Sequence, residues 1–399
     1  MARMSYDVEA VRARFPSLAT GTAHFDGPGG SQVPARVADA VHRAMTAPLA
    51  NRGRVTAAER ATDDIVLAAR HALADLLAAT PDGIVLGRSA TQLTYDFART
   101  LAGSWRPGDE VVVTRLDHDA NVRPWVQVAE AVGAVVRWVG FDPATGELDP
   151  VAPTDRTRLV AVTAASNLIG TRPPLADIAR ATHEAGALLY VDGVHLAAHH
   201  AVDVAELGAD FFVCSPYKFF GPHLGVLAAD PALLATLRPD KLLPSTDAVP
   251  ERFELGTLPY ELLAGTTAAV DFIADLAPGD GDRRARVKRS MDAVAVHEGR
   301  LRAVLEEGLR TLPGVTVHSR ARLRTPTLLV TFADHDPADA YRFLATRNIN
   351  APAGSFYAIE TSRHLGLGDR GGLRIGLAAY STDDEVARLR HALADFLDG

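Results

Sequence analysis

Cysteine is almost absent from this 399-residue chain, where Cys214 stands alone. One thiol cannot close an internal disulfide, so nothing in the sequence points to an oxidising compartment, and a cytoplasmic protein is expected. Long apolar runs are missing too. No segment is expected to span a bilayer, and the start, Met-Ala-Arg-Met-Ser-Tyr-Asp, has no apolar signal core. Neither sign of charge dominates: 41 basic and 49 acidic side chains leave −8. Nucleic acid or an anionic membrane would favour a clustered excess of Lys and Arg, so neither partner is expected. With 47% hydrophobic and 23% charged residues, disorder and collagen-like repeats are excluded and a large core is available. The length suits two domains, or a large domain plus a smaller one.

Lysine is the most telling scarcity. Only Lys218, Lys241 and Lys288 occur among the 41 basic residues. A chain that uses arginine wherever a positive charge suffices keeps lysine for what arginine cannot do, which is to lose its proton and act as a nucleophile. Lys288, in Arg-Arg-Ala-Arg-Val-Lys-Arg, and Lys241, after Arg238-Pro-Asp, read as solvated charges. Lys218 stands in Val-Cys-Ser-Pro-Tyr-Lys-Phe-Phe-Gly-Pro, an apolar setting that favours the neutral amine.

What is present is a regular alternation. From about residue 60 to 230, short β-rich apolar runs at 84–86, 110–114, 134–139, 159–163, 187–191, 211–214 and 225–228 alternate with helix-like stretches. The clearest of these are 91–102, 120–132 and 174–185. This is the βαβ signature of a mainly parallel, seven-stranded α/β sheet covered by helices. After Pro259 the pattern changes to a helix over 260–276, a Pro-Gly-Asp-Gly-Asp loop and a charged helix over 283–312. Strands near 328–332 and 373–377 and a helix with a capping-box start, Thr382-Asp-Asp-Glu385, follow. The reading is an N-terminal segment 1–20, a large domain 21–262 and a smaller α+β domain 263–399.

In open sheets of this kind ligands sit beyond the carboxyl ends of the strands, so the polar residues there are the candidates. Gly87-Arg-Ser-Ala-Thr91 joins a strand to a helix start, a place for a phosphate or simply for a cap. Asp117-His-Asp119 offers an imidazole that can stack on a planar ring, or is a plain polar loop. Asp192 ends a strand and needs a cationic partner, either a protonated pyridine nitrogen or an arginine. The next strand delivers Ser215 and Lys218. An aspartate and a lysine on adjacent strand ends, with a phosphate-type helix start upstream, match the needs of pyridoxal 5'-phosphate. His195, His199 and His200 imitate a metal set, but no further ligand cluster accompanies them and no metal is expected.

At these residues the chain resembles the class V, cysteine-desulfurase-like group of fold-type I pyridoxal-phosphate enzymes. The resemblance rests on Phe25-Asp-Gly-Pro-Gly-Gly, Arg88-Ser-Ala-Thr, Asp117-His-Asp-Ala-Asn-Val-Arg-Pro-Trp125, Ala165-Ser-Asn-Leu-Ile-Gly-Thr171, Val191-Asp-Gly-Val-His195, Ser215-Pro-Tyr-Lys218, Glu254-Leu-Gly-Thr257 and Arg374. It implies that Lys218 holds the cofactor as an aldimine and then moves the substrate's Cα proton. By the same resemblance Asp192 keeps the pyridine nitrogen protonated and His118 stacks on the ring. Ala90 (through its N–H), Thr91 and Ser215 bind the phosphate; His195 lies near the phenolic oxygen or the phosphate, and Asn167 near the phenolic oxygen and the substrate carboxylate. Arg374 clamps the substrate carboxylate and Gly29 lines the substrate entrance. Thr257 reaches the phosphate of the other subunit, which implies a homodimer with shared active sites.

The chain departs from desulfurases where they carry a mobile cysteine. The corresponding stretch, Ala353-Gly-Ser-Phe-Tyr-Ala-Ile-Glu-Thr-Ser-Arg-His-Leu, has no thiol, so desulfuration through a persulfide on this chain is not expected. Phe356, Tyr357 and His364 are candidates for shaping the substrate pocket, with Tyr357 as a proton donor. The expected activity is that of a lyase cleaving a C–S or other Cβ–heteroatom bond of a cysteine derivative. A class V aminotransferase is the first alternative, and a catalytically silent binding or regulatory protein the second.

Overall fold

The structure is a computed structural model that describes residues 6–399; the first five residues of the expected N-terminal segment and signal-core reading lie outside the described residues. After a two-residue strand, β1 (Ala23–His24), the chain builds its central sheet. In chain order the strands are β2 (Ile84–Gly87), β3 (Glu110–Thr114), β4 (Val135–Val139), β5 (Thr157–Thr163), β6 (Leu188–Asp192), β7 (Phe211–Cys214) and β8 (Gly225–Ala229). Their order across the sheet is β2-β8-β7-β6-β5-β3-β4, and only β8 runs against its neighbours. This is the mainly parallel seven-stranded sheet that the alternation predicts.

Side chains along a strand point to opposite faces by turns. Here both sets are apolar. Val112, Val160, Val162, Leu189, Val191 and Phe212 enter one core, while Val111, Val113, Leu159, Ala161, Tyr190 and Phe211 enter another. A sheet buried on both faces in this way needs helices on each side. Helices Ala90–Ala102 and Arg123–Val132 cover the second face, and Ala57–Leu77 and Leu175–Glu184 the first.

Beyond the sheet, strands β9 (Val315–Val317), β10 (Thr327–Phe332), β11 (Ile349–Asn350), β12 (Ala353–Gly354) and β13 (Gly372–Gly376) belong to the carboxyl-terminal part. Four of them form an antiparallel sheet in the order β12-β13-β10-β9. The remaining one, β11, pairs in parallel with β1, so the start of the chain is tied to its end. Helix Asp383–Asp398 starts with the capping box that the sequence announces, Thr382 and Glu385 each bonding the other's backbone N–H.

The division expected at 262/263 and the division of the cores do not coincide. Helix Tyr260–Ala274 packs on helices Ala35–Thr46 and Ala57–Leu77 and gives Leu263, Val270, Phe272 and Ile273 to the large core. The long helix Arg283–Arg310 serves both: Val287, Met291 and Val294 join the large core, and Leu301, Leu305 and Leu309 the smaller one. Pro259 marks the start of a helix, and that local signal carries no information about which core the helix joins. At the other end, Ala23 and Phe25 belong to the smaller core although they precede the whole sheet. Among the described residues no helix is long and apolar enough to cross a membrane.

Candidate active site

The carboxyl ends of β5, β6 and β7 and the start of helix Ala90–Ala102 open on one cavity of about 670 Å³. Its wall includes Gly29, Ala90, Thr91, His118, Asn167, Asp192, His195, Ser215, Lys218, Phe356, Tyr357 and Arg374, but not Thr257 or His364, whose Nε2 lies 2.7 Å from the Phe141 carbonyl oxygen. Thr257 lies in an exposed loop outside it.

Lys218 ends a one-turn 3-10 helix that follows β7. Its Nζ donates to the carbonyl oxygens of Pro28 and Gly29, the latter at 3.1 Å, and lies 4.6 Å from the centre of the Tyr217 ring. Burial, reinforced by the charge of Arg374, pushes the amine down to about 7. Asp192, at the end of β6, accepts the N–H of Val194 at 2.9 Å. Burial raises its carboxyl to about 6, against the lowering effect of Lys218. Behind it Asp117 is buried between Thr114 and Asn121 and is pushed up to about 8 by burial.

His118 accepts the N–H of Ala120 at Nδ1 (3.0 Å), so its ring proton is on Nε2. Burial and the charge of Lys218 bring it down to about 4, which keeps the imidazole neutral. The Tyr357 ring stacks on it, centroids 5.5 Å apart. Arg374 in β13 is 2% exposed and bonds Asp26 at 2.6 Å and the carbonyl of Asn167 at 3.3 Å, with the Phe356 ring 3.6 Å from its guanidinium carbon. Phe356 and Tyr357 both have positive φ, 52° and 59°, a conformation that side chains with a Cβ adopt at a cost. The carbonyl of Phe356 takes a bond from Asn167 Nδ2 at 3.0 Å and that of Tyr357 one from the N–H of Asp119 at 2.7 Å.

These residues fit pyridoxal phosphate. Asn167 Oδ1, His195 Nδ1 and Arg374 Nε are buried without a partner, although each belongs to a residue that lines the cavity. Buried polar atoms left unpaired are costly, so these are places where a polar ligand is welcome. The first N–H groups of helix Ala90–Ala102 face a phosphate-sized need of the same kind, with Ser89 capping Gln92. The turn there is held close to β8 because Gly225 has no side chain: a Cβ would fall 2.8 Å from Ala90 N and closer still to the Ser89 carbonyl. Ser215 begins the lysine turn without spending its hydroxyl on it. Lys218 would hold the cofactor covalently, Asp192 would face its ring nitrogen, and His118 would cover the ring. Ala90, Thr91 and Ser215 would take the phosphate.

The sequence reading missed Asp26. The acid is plain in Phe25-Asp-Gly-Pro-Gly-Gly, but its pairing with Arg374 joins residues 348 positions apart and leaves no local trace. Asp119 and Arg123 were also not singled out; they pair at 2.7 Å at the cavity wall, with Glu360 bonding Arg123 at 3.1 Å. Their i,i+4 spacing is the one signal that could have found them. Among the described residues no three of His, Cys, Asp and Glu are grouped to hold a metal ion.

Known proteins are similar to this chain in sequence and fold. Residues 23–389 match the family described as aminotransferase class-V. The chain is 35% identical over 404 residues to uncharacterized protein MT3887 of Mycobacterium tuberculosis (strain CDC 1551 / Oshkosh), covering 98% of this chain and 99% of the relative. It is 33% identical over 410 residues to the aminotransferase-like protein FGM3 of Gibberella zeae, covering 98% and 99%. The crystal structure of the cysteine desulfurase CsdA (S-sulfonic acid) from Escherichia coli superposes with a TM-score of 0.85 at 27% identity over 99% of both chains. Sheet order, cavity and sequence agree on a fold-type I pyridoxal-phosphate enzyme, and the chain belongs to the class V aminotransferase family.

Proposed function

We propose that the protein is a lyase that cleaves the C–S bond, or another Cβ–heteroatom bond, of a cysteine derivative without forming a persulfide on a cysteine of its own. One observation carries this reading. The cavity combines a depressed lysine amine with a buried arginine, while the single thiol, Cys214, is fully buried at the end of β7 and is not part of the cavity wall. Burial also raises the Cys214 thiol, which disfavours the thiolate that attack on sulfur needs.

Bound pyridoxal phosphate supplies an electron sink for the pair left behind when a Cα proton departs. The chain's own residues do the rest. Lys218, whose neutral form is well populated near pH 7, takes the Cα proton. Arg374 holds the substrate carboxylate by a two-pronged bond, for which Asp26 must yield one N–H. Asn167 turns its free Oδ1, and His195 its free Nδ1, to ligand groups. Gly29 lines the way in, and Tyr357, 76% exposed, stands at the mouth where it can donate a proton to a leaving group. Thr257, outside its own chain's cavity, serves the phosphate of a second copy in a homodimer. A cytoplasmic setting accords with the lone cysteine.

The test is product analysis of purified holoenzyme with a panel of S-substituted cysteines. Thiol, pyruvate and ammonia in equal amounts are expected. Conversion of the cofactor to pyridoxamine phosphate, with a 2-oxo acid but no ammonia, would replace the lyase by an aminotransferase, and a panel without any turnover would favour a silent binding protein.

A further inference from the structure

Behind the cavity wall a second polar cluster is sealed from solvent. His199 Nδ1 and Glu298 Oε2 lie 2.9 Å apart, with side chains 3% and 1% exposed. The His199 ring meets the His195 ring at 74°, centroids 4.8 Å apart. His195 Nδ1, His199 Nε2 and Glu298 Oε1 are all buried and without a partner. Such a row is unusual, because nearly all buried polar groups are bonded to protein or to ordered water.

Donors and acceptors in the row can be assigned. Thr325 Oγ1 donates to the carbonyl of Gly170 (3.3 Å) and so keeps a lone pair for His195 Nε2 at 2.9 Å. Thr327 Oγ1 lies 3.0 Å from the same nitrogen. His195 is held far below the usual imidazole range by burial and by the charges facing it, His199 and His200 from its own turn, Lys218 and Arg374 from across the cavity. It is therefore neutral, with its proton on Nε2 and a lone pair on Nδ1.

Glu298 pairs with no lysine or arginine among the described residues. The other titratable groups that face it, Tyr6 and Tyr380, are phenols and bring no positive charge. A net charge buried here would be costly, so the His199–Glu298 pair is neutral as a unit. Whichever partner holds the shared proton, His199 Nε2 then carries hydrogen, and the pair as a whole brings no net charge to the His195 ring packed edge-on against it. Glu298 also sits between Val294 and Leu301, where the long helix passes from the large core to the smaller one.

We propose that His199 and Glu298 are positioning residues that act through His195: their buried, neutral pair packs the His199 ring edge-on against the His195 ring and holds it in the place where Thr325 accepts from its Nε2–H, leaving Nδ1 to the ligand in the cavity. The inference rests on the cavity holding pyridoxal phosphate and is independent of which substrate bond is cleaved. Its test uses holoenzyme and two variants, Glu298→Gln and His199→Gln. A control, Glu306→Gln, lies on the same helix, where Glu306 is paired with Arg324 at 3.0 Å. The readouts are thermal stability and the midpoint pH at which the visible absorption of the bound cofactor titrates. Both variants are expected to move that midpoint by about half a pH unit or more, while Glu306→Gln loses stability and leaves the midpoint in place. An unmoved midpoint in both variants, with stability lowered as in the control, would reduce the pair to packing and overturn the proposal. If Glu298→Gln does not fold, His199→Gln decides by the same two readouts.

Discussion

Lys218 differs from the other two lysines in what surrounds its amine. Lys288 forms an exposed i,i+4 pair with Asp292, and the partly buried Lys241 reaches the carbonyl of Ser245 and the carboxylate of Asp247, so each has a carboxylate partner. Lys218 is brought down to about 7 by burial and by Arg374. The neutral amine is the nucleophile, and its fraction rises with pH. The rate at which cofactor-stripped protein captures pyridoxal phosphate should therefore climb with pH and level off just above 7, followed by the growth of visible absorption after mixing. A solvated lysine would keep gaining roughly tenfold per pH unit until close to its ordinary value near 10.4, and a rate still rising at pH 9 would contradict the depressed amine. Residue chemistry was legible here because scarcity isolated one lysine and because its apolar neighbours are adjacent in sequence. Asp26 was illegible for the opposite reason: its partner, Arg374, arrives from β13, and only the folded chain brings the two together.

Secondary elements were legible in proportion to how local their signals are. Six of the seven sheet strands declare themselves by buried apolar residues, the edge strand β4 by an apolar run that is only partly covered, and the box at Thr382 announces a helix by hydrogen-bonding chemistry confined to four positions. The same box at Thr56 and Glu59, which starts helix Ala57–Leu77, went unread. Strands β1, β11 and β12, with two residues each, have no period to detect. The reversed direction of β8 also lacks a sequence mark, yet it matters: pairing of β8 with β2 puts Gly225 opposite Gly87 and against the turn that starts helix Ala90–Ala102. A Gly225→Ala variant must push the Ser89–Ala90 backbone away. Overpacking of this kind costs about 1–3 kcal/mol, and here it displaces the N–H groups assigned to the phosphate. Thermal unfolding should show the destabilisation, and equilibrium dialysis a weaker hold on pyridoxal phosphate than on pyridoxal, relative to the parent protein. Unchanged preference for the phosphorylated form would remove the helix start from the phosphate site.

At the scale of the whole molecule, the single chain leaves large apolar side chains uncovered near one of its expected site residues. Leu255 is 48% exposed two positions before Thr257, and Leu242 and Leu243, in the same connection between helices, are 68% and 97% exposed. Exposed apolar surface of this extent is a mark of an interface, and closed two-fold dimers are its commonest resolution. Composition could not show this, since an apolar residue in the sequence looks the same whether it enters a core or meets a second copy. If Thr257 serves the neighbouring subunit, each site takes its lysine from one chain and its threonine from the other. Light scattering should then give twice the mass of the chain, and Leu243→Asp should lower both the dimer fraction and cofactor affinity. The decisive case is a mixture of Lys218→Ala and Thr257→Ala chains, each of which binds cofactor poorly alone. In a mixed dimer one site has both substitutions and the other has neither, so unfolding and refolding the two together should restore tight binding at one site in that dimer. A mixture that binds no better than its components would confine each site to a single chain and leave the exposed loop at Thr257 without a role in cofactor binding.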